Sequence, residues 1–371
     1  EEIGLLKMDF LGLSNLTIIK NALRIIKKVY DKDIEIENIP LDDEKTFNLF
    51  QKGDTTGVFQ LESAGMKRYL KELQPTVFDD IIAMVALYRP GPMQWISDFI
   101  ARKHGKKKIE YLHPKMESAL SSTYGVIVYQ EQVMQISKEL SGFSGGQADT
   151  LRKAIGKKIP EVLAKLKNDF IEGAIDTSGA DKKTMEKFWK QLEEFAAYCF
   201  NKAHAACYAM IAYQTAYLKA HYPAAFMAAL MTSDYDNTDR LAIEIAECKA
   251  MGINVLPPDV NESFGEFAVI LNDKEPSIRF GMNAIKNVGA GVVEDIIAAR
   301  EQTGGFKDLE DFLNKTSGKS LNKKAIESLA KSGALDGLGD RSVLVNNIES
   351  LVAFASKLQK QNLSGQVDLF G

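Results

Sequence analysis

The chain has 371 residues, of which 45% are hydrophobic, and its formal net charge is −4 at pH 7. This length and composition are typical of two or three globular domains with real cores, and they exclude a disordered tail. The negative charge also excludes a uniformly basic nucleic-acid coat, so any DNA binding is expected to be local. Basic residues are in fact concentrated at 102–108 and 152–167.

The cysteines and the first residues of the chain indicate the cellular compartment of the protein. The chain has three cysteines, Cys199, Cys207 and Cys248. An odd number without a Cys-x-x-Cys pair argues against a disulfide framework or a zinc ribbon, so we expect a reducing cytoplasm. The chain starts at Glu1 and its first apolar run is interrupted by Lys7 and Asp9. We therefore expect no signal peptide or membrane span, and a piece of a longer protein.

The first part of the chain alternates short extended segments with helices. A strand is predicted at 5–10, followed by a helix at 15–30, where apolar residues recur at helical spacing. Helices are also predicted at 42–51 and 61–73, the second after a short extended piece at 57–60.

A proline-rich loop separates this part from a long helical region. The prolines in Arg89-Pro90-Gly91-Pro92 predict an extended or turning backbone. Residues 126–234 are predicted to be largely helical, including segments 182–198 and 205–219, which have a period near 3.6. A domain boundary is predicted near Pro258.

The last part begins with a predicted β element. Residues 267–285 alternate apolar and polar positions around an Asn-Asp turn. Two helical pairs, at 283–300 and 309–334, are predicted next, and then a helix at 342–358 and a polar tail at 360–365.

A glycine pair and a basic cluster form the most informative motif. Gly145-Gly146 precedes a predicted helix that carries four bases: Arg152, Lys153, Lys157 and Lys158. Lys153 and Lys157 share a helical face, where like charges repel unless an anion offsets them. A helix N-terminus would add attraction for phosphate. The motif therefore indicates a polyphosphate site, and the alternative is a solvated basic face.

Five further sequence strings are long and irregular in composition. They are LLKMDFLGL at 5–13, GDTTGVFQLESAGM at 53–66, ALYRPGPM at 86–93, YGVIVYQEQVMQI at 124–136 and FNKAHAACYAMIAYQTAYLKAHYPAAFMAALM at 200–231. With them the chain resembles the bacterial replicative DNA polymerase III α subunits, and the resemblance covers most of its length.

The resemblance implies a mainly α fold with small β elements. It divides the chain into the C-terminal end of an α/β palm at 1–24, a helical fingers domain at 25–258, and a helix-hairpin-helix and β-clamp-binding domain at 259–371. The parent protein would add deoxynucleotides to a primer 3′ end, and the isolated fragment would be inactive.

By itself, Asp9 is a lone carboxylate in an apolar strand, a pattern more typical of a structural residue than of a catalytic one. The resemblance assigns it as the palm's third metal-coordinating aspartate, one ligand in a site for two Mg²⁺ ions. Lys7 lies on the same face of the predicted strand and is assigned to triphosphate oxygens.

The resemblance also assigns the basic helix to the incoming nucleotide. Arg152 and Lys153 match a basic pair in the fingers, where the family often has two arginines, and Lys157 extends the patch. Asn201 and His204 match a stretch lining the nucleotide pocket, with Tyr198 or Tyr208 offering a ring to stack. A lone histidine is also compatible with a structural role. Where the family has serine, this chain has Ala203.

Two interpretations are open for Arg89, and two for the hairpin that contains Gly289 and Gly291. Arg89 would contact phosphate or form a structural ion pair. Gly289 and Gly291 fit a helix-hairpin-helix whose backbone approaches a DNA phosphate. The small residue usual in that motif is replaced by Asp295, and the alternative is a purely structural hairpin.

The end of the chain fits a short clamp-binding peptide on a flexible leash. Its residues are Gln366, Asp368, Leu369 and Phe370, in which the apolar pair would enter a pocket of the sliding β clamp. Expected partners are therefore primer–template DNA, deoxynucleoside triphosphates, the clamp and other polymerase III holoenzyme subunits, with no membrane. The rival interpretation is a non-catalytic DNA-binding and clamp-tethering scaffold.

Overall fold

The computed structural model describes residues 4, 8, 12–157, 159–196, 198–271, 275–316 and 321–364. The chain divides into two compact units. The inserted unit is Ile36–Ala220, and the terminal unit combines Glu1–Glu35 with His221–Gly371. Helices dominate both units and a small sheet lies in the terminal unit, in agreement with the predicted mainly α class. In the described ranges, no helix is both long and apolar enough to cross a membrane.

The first helix of the chain, α1 (Ser14–Tyr30), belongs to the terminal unit. The helices of the inserted unit are α2 (Glu44–Lys52), α3 (Ala64–Leu73), α4 (Phe78–Leu87), α5 (Ile96–Lys103), α6 (Glu117–Leu120), α7 (Gln130–Ser141), α8 (Gly145–Lys157), α9 (Pro160–Ser178), α10 (Lys182–Ala196) and α11 (Lys202–His221).

Helices α7 to α10 share one hydrophobic core in the inserted unit. The rings of Phe170 in α9 and Trp189 in α10 are fully buried, with their centroids 5.5 Å apart. Gly173 allows α9 to approach α7 closely, because a Cβ there would lie only 2.3 Å from the carbonyl oxygen of Ser141. This core fixes the position of α7.

Tyr213 connects α11 to the first helices of the inserted unit. Its ring packs edge-on against Phe47 and Phe78. Its hydroxyl donates to the carbonyl oxygen of Pro40 (2.8 Å) and accepts from the amide of Asp43 (3.1 Å). Burial raises the pKa of Tyr213 to about 12, so the hydroxyl stays protonated and can donate at neutral pH.

Two residues of the basic cluster at 102–108 are bonded inside the inserted unit. Lys103 forms a buried ion pair with Asp80. Arg102 donates from Nη1 to the carbonyl oxygen of Gly125 at 3.0 Å. Arg102 and Lys103 are therefore held inside the fold, while Lys106, Lys107 and Lys108 are exposed.

The remaining elements complete the terminal unit. They are α12 (Pro223–Ser233), α13 (Thr238–Ala250), β1 (Val255–Leu256), β2 (Ala268–Leu271), β3 (Pro276–Arg279), α14 (Ala290–Thr303), α15 (Leu309–Thr316), α16 (Lys323–Ser332), α17 (Arg341–Asn346) and α18 (Ile348–Ser364).

The terminal unit contains a helix pair, a small sheet and a helical core. Helix α12 is buried along most of its length and packs against α1, where Tyr30 and Tyr222 meet edge-on with centroids 5.5 Å apart. The sheet has the order β1-β3-β2, in which β2 and β3 are antiparallel and β1 is parallel to β3. Helices α14 to α18 share a second core. Helix α1 is continuous across position 24, and the palm–fingers boundary stays a prediction.

Several local predictions were wrong. The piece at 57–60 is not extended, because Gly57 and Gln60 have φ of 77° and 57° and turn the chain. Helix α3 starts at Ala64, three residues later than predicted, since the hydroxyl of Ser63 caps it. The helix at 342–358 is interrupted at Asn347, and the backbone of α18 continues to Ser364 through the predicted polar tail.

Candidate functional site

The first turn of α7 is anchored by the buried side-chain amide of Gln132. Its Oε1 accepts from the backbone amides of Val128 (2.8 Å) and Tyr129 (2.9 Å). Its Nε2 donates to the carbonyl oxygen of Ala119 (3.0 Å) and the hydroxyl of Thr123 (2.7 Å). A buried amide with all these partners fixes the start of the helix.

Residues 198–200 lie beside this turn. Tyr129 and Phe200 form a parallel β-bridge. The backbone amide of Gln130 donates to the carbonyl oxygen of Phe200 at 2.9 Å, and the amide of Phe200 donates to the carbonyl oxygen of Val128 at 3.1 Å. The bridge brings the segment before α11 against the N-terminus of α7.

Gln130 and Glu131 connect this turn to two of the predicted nucleotide-binding residues. The side-chain amide of Gln130 donates to the carbonyl oxygen of Cys199 (3.3 Å) and accepts from Nη1 of Arg152 (3.4 Å). The carboxylate of Glu131 accepts from the Asn201 side chain and from the backbone amide of Lys202, both at 2.9 Å. Arg152 and Asn201 are thus brought to one turn of one helix.

The predicted basic pair on α8 is held by a carboxylate. Asp149 accepts from Nε and Nη2 of Arg152 at 3.0 and 2.8 Å, and Nζ of Lys153 lies 2.7 Å from its other oxygen. Hydrogen bonds from Lys153 and Arg152 hold the pKa of Asp149 below its usual range, so the carboxylate stays charged at neutral pH. The two bases are therefore oriented and partly neutralised.

The glycine pair does not form a break ahead of α8. Gly145 and Gly146 are its first residues, and Ser144 precedes them. The hydroxyl of Ser144 accepts from the amide of Gln147, whose side chain accepts from the amide of Ser144, which is a capping box. The glycines therefore belong to the first turn of α8, in which the amide of Gln147 already has an acceptor.

His204 lies at the edge of a cavity of about 300 Å³ in the inserted unit. Its ring centroid is 5.2 Å from that of Phe200 and 4.3 Å from that of Tyr208. Arg89 and Gln60 also line the cavity. Residues from three of the strings that carry the resemblance therefore meet at one cavity.

In the terminal unit, Gly289 is the N-cap of α14 and Gly291 lies in its first turn. No side chain caps this described helix start, and a Cβ at either glycine would meet no described atom within 4 Å. The backbone is therefore open to approach. Arg300 is directed inward, since its Nη1 donates to the carbonyl oxygens of Val260 and Ser263.

Several predicted site residues lie outside the described residues. They are Lys7, Asp9, Lys158, Gln366, Asp368, Leu369 and Phe370. Lys157 ends α8, but its side chain is also outside the description. Among the described residues, no group of three or more His, Cys, Asp or Glu is arranged to hold a metal ion.

The sequence patterns did not lead us to Gln130, Glu131 or Asp149. Asp149 was detectable, since a carboxylate three and four residues before two bases predicts helical ion pairs of this kind. The capping box Ser144-x-x-Gln147 was detectable in the same way. The contacts of Gln130 and Glu131 join distant segments, and no local spacing indicates them.

Comparison with known proteins agrees with this architecture. Residues 15–178 match the bacterial DNA polymerase III alpha subunit finger domain, and residues 252–344 match the helix-hairpin-helix motif. The chain therefore carries a polymerase finger domain followed by a helix-hairpin-helix region.

Relatives that match the whole chain specify the family. The chain is 49% identical over 378 residues to the DNA polymerase III subunit alpha of Saccharopolyspora erythraea, 48% over 374 residues to that of Campylobacter jejuni, and 47% over 383 residues to that of Escherichia coli. It belongs to the family of bacterial DNA polymerase III alpha subunits. These matches cover 100% of the chain but only 31% to 33% of each relative.

Replacing Glu131 with alanine should loosen the start of α11, because the amide of Lys202 would lose its carboxylate acceptor. Loss of such a cap costs about 1 kcal/mol, which corresponds to roughly fivefold faster hydrogen exchange at that amide. Glu139→Ala, on the same helix but bonded to Ser118 and Gln135, is the control. Unchanged exchange at Lys202 in Glu131→Ala would contradict this role.

Proposed function

We propose that this chain is part of the catalytic subunit of a bacterial replicative DNA polymerase. In the whole protein it binds the incoming deoxynucleoside triphosphate and primer–template DNA. The observation that carries the proposal is the first turn of α7, where Gln130 and Glu131 bring Arg152 and Asn201 together in a chain of this family.

In this proposal the triphosphate takes the place of Asp149. Arg152 and Lys153 already point at one carboxylate, and phosphate oxygens are equivalent acceptors with more charge. Exposed ion pairs contribute little to stability, so the exchange needs little energy. Lys157 extends the basic face, and Asn201 and His204 border the base and sugar.

Arg152→Ala in the full-length protein should raise the KM for deoxynucleotides or lower kcat by roughly tenfold, the effect of losing one charged hydrogen bond. Its free energy of unfolding should change by no more than about 0.5 kcal/mol, because the side chain is partly exposed and its ion pair is with Asp149 of the same helix. Arg68→Ala is the matched control, since Arg68 also pairs with a carboxylate on its own helix, that of Glu72. Steady-state kinetics identical to wild type would refute nucleotide binding by Arg152.

We further propose that Asp9 is one carboxylate ligand of the catalytic Mg²⁺ ions and that Lys7 contacts triphosphate oxygens. Mg²⁺ would lower the pKa of the primer 3′-hydroxyl and neutralise the departing pyrophosphate. The support is the resemblance of the string at 5–13, together with the family membership of the chain. Carboxylates from the rest of the full-length protein complete the donor set in this proposal.

Asp9→Asn in the full-length protein should reduce polymerisation by at least about a thousandfold while leaving primer–template affinity unchanged, because the carboxylate serves metal and not duplex. Primer extension and DNA-binding titrations measure the two effects. Asp54→Asn, at an exposed position, is the control. Activity within about tenfold of wild type would favour the non-catalytic scaffold instead.

The terminal unit is proposed to hold DNA and the sliding clamp. The open backbone at Gly289 and Gly291 supports a contact with a DNA phosphate that does not depend on the base sequence. The peptide at 366–370 is proposed to bind the β clamp, and other holoenzyme subunits are proposed partners. A reducing cytoplasm is the proposed location, because the chain has an odd number of cysteines without a Cys-x-x-Cys pair.

Leu369→Ala combined with Phe370→Ala should weaken clamp binding at least about tenfold, because these side chains supply most of the apolar area of a short peptide. Titration of the full-length protein against purified clamp measures this. The extension rate on a short primer without clamp should not change. If the doubly substituted protein and the wild type have equal dissociation constants, another surface binds the clamp.

A further inference from the structure

The last turn of α1 carries two lysines that differ in their partners. Lys27 and Lys28 are both exposed. Nζ of Lys27 lies 2.7 Å from the carboxylate of Asp33. Among the described residues, no carboxylate forms an ion pair with Lys28, and its ammonium is directed at the ring of Phe264 instead. Lys28 is therefore a cation with an aromatic neighbour and no counter-charge of its own.

Phe264 is an aromatic residue whose orientation is fixed although it is 43% exposed. Nζ of Lys28 lies 5.6 Å from its ring centroid, and the guanidinium carbon of Arg300 lies 5.1 Å from the same point. Arg300 is itself held, because its Nη1 donates to the carbonyl oxygens of Val260 and Ser263. The ring is thus positioned by cation–π contacts and keeps an open apolar surface.

A cavity of about 340 Å³ lies beside this ring, within the terminal unit. Its lining comes from α1, from residues 264–269 and from α14. Such a volume is at the small end of the range for ligand pockets. The apolar side chains of the lining are those of Ile25, Val29, Phe264, Phe267, Val269 and Ile297. The cavity therefore suits a compact apolar group.

The charged residues of the described lining leave an excess of one positive charge. They are two cations, Arg24 and Lys28, and one carboxylate, that of Glu266. Arg24 forms an ion pair with Glu266, and both side chains are about half exposed. Exposed pairs contribute little to stability and can exchange partners. An anion in the cavity would therefore meet Lys28 directly and compete with Glu266 for Arg24.

We propose that this cavity binds a small organic anion in which an apolar or aromatic body carries one acidic group. The body packs against Phe264 and the apolar lining, and the acid lies beside Lys28 and Arg24, which are neighbours one helical turn apart. The inference does not depend on the proposed function, because the residues proposed for nucleotide, DNA and clamp binding are different ones. The alternative for Lys28 is a solvated cation that is favourable at a helix C-terminus.

The test measures the binding of three probes to the full-length protein by ligand-observed NMR titration. Phenylbutyrate has an aromatic body and one carboxylate, phenylbutyramide has the same body without the charge, and inorganic phosphate has the charge without the body. We expect phenylbutyrate to bind saturably and at least roughly fivefold more tightly than the amide, since only the carboxylate interacts with the cations. Phosphate should not displace it.

Three single substitutions separate this cavity from other binding. Lys28→Met keeps an apolar stem over Phe264 without the charge, and should weaken phenylbutyrate roughly fivefold while leaving the amide unchanged. Glu266→Gln removes the competing carboxylate and should tighten phenylbutyrate roughly threefold. Lys32→Met is the matched control and should change neither probe. Lys32 also lies over a ring, that of Tyr222 at 5.9 Å, but is outside the cavity lining.

The solvated alternative gives different results. It predicts that Lys28→Met binds phenylbutyrate as Lys32→Met does and that Glu266→Gln gains nothing, and this pair of results would overturn the inference. Equal affinities for phenylbutyrate and its amide would also overturn it, because the cavity would then recognise apolar surface alone. Displacement by phosphate would show an unselective anion contact instead. If Lys28→Met loses its thermal transition, Glu266→Gln decides, and its failure to tighten binding counts against the site.

Discussion

The buried side chain of Gln132 is the constraint on which the candidate site depends. It satisfies two backbone amides ahead of α7 and itself donates to two oxygens, so its removal would leave several buried polar groups unpaired at about 1–3 kcal/mol each. Because it fixes where α7 begins, the two residues before it in sequence are displayed at the helix start. Their side chains can then reach α8 and the segment before α11.

The cations of the inserted unit differ in how firmly they are paired with carboxylates. Lys103 is neutralised by Asp80 in the interior, where an ion pair is retained because breaking it would strand a charge. Arg152 and Lys153 are matched with Asp149 at the surface, where pairing contributes little and is readily exchanged. The overall charge of −4 conceals this arrangement. What matters for an anionic ligand is where a cation lacks a lasting partner.

Local sequence patterns predicted the helices and strands whose formation depends on neighbouring residues. The helical period identified α1, α10 and α11, and alternation identified the hairpin of β2 and β3. Strand β1 was missed, because its two residues are defined only by pairing with the distant β3. At the site, residue type and family resemblance pointed to Arg152, Asn201 and His204. The contact between Asn201 and Glu131 spans 70 residues and has no local signature.

The bridge between Tyr129 and Phe200 also has a consequence for folding. All of α8, α9 and α10 lies between its two partners, so closing it has a loop entropy cost that the shared core of these helices must offset. We therefore expect the contacts around the start of α7 to form together with the helical core. In the same way, we expect a sub-global opening of α9 or α10 to release the segment before α11. A ligand that binds across that segment is thermodynamically linked to the integrity of a core it does not touch.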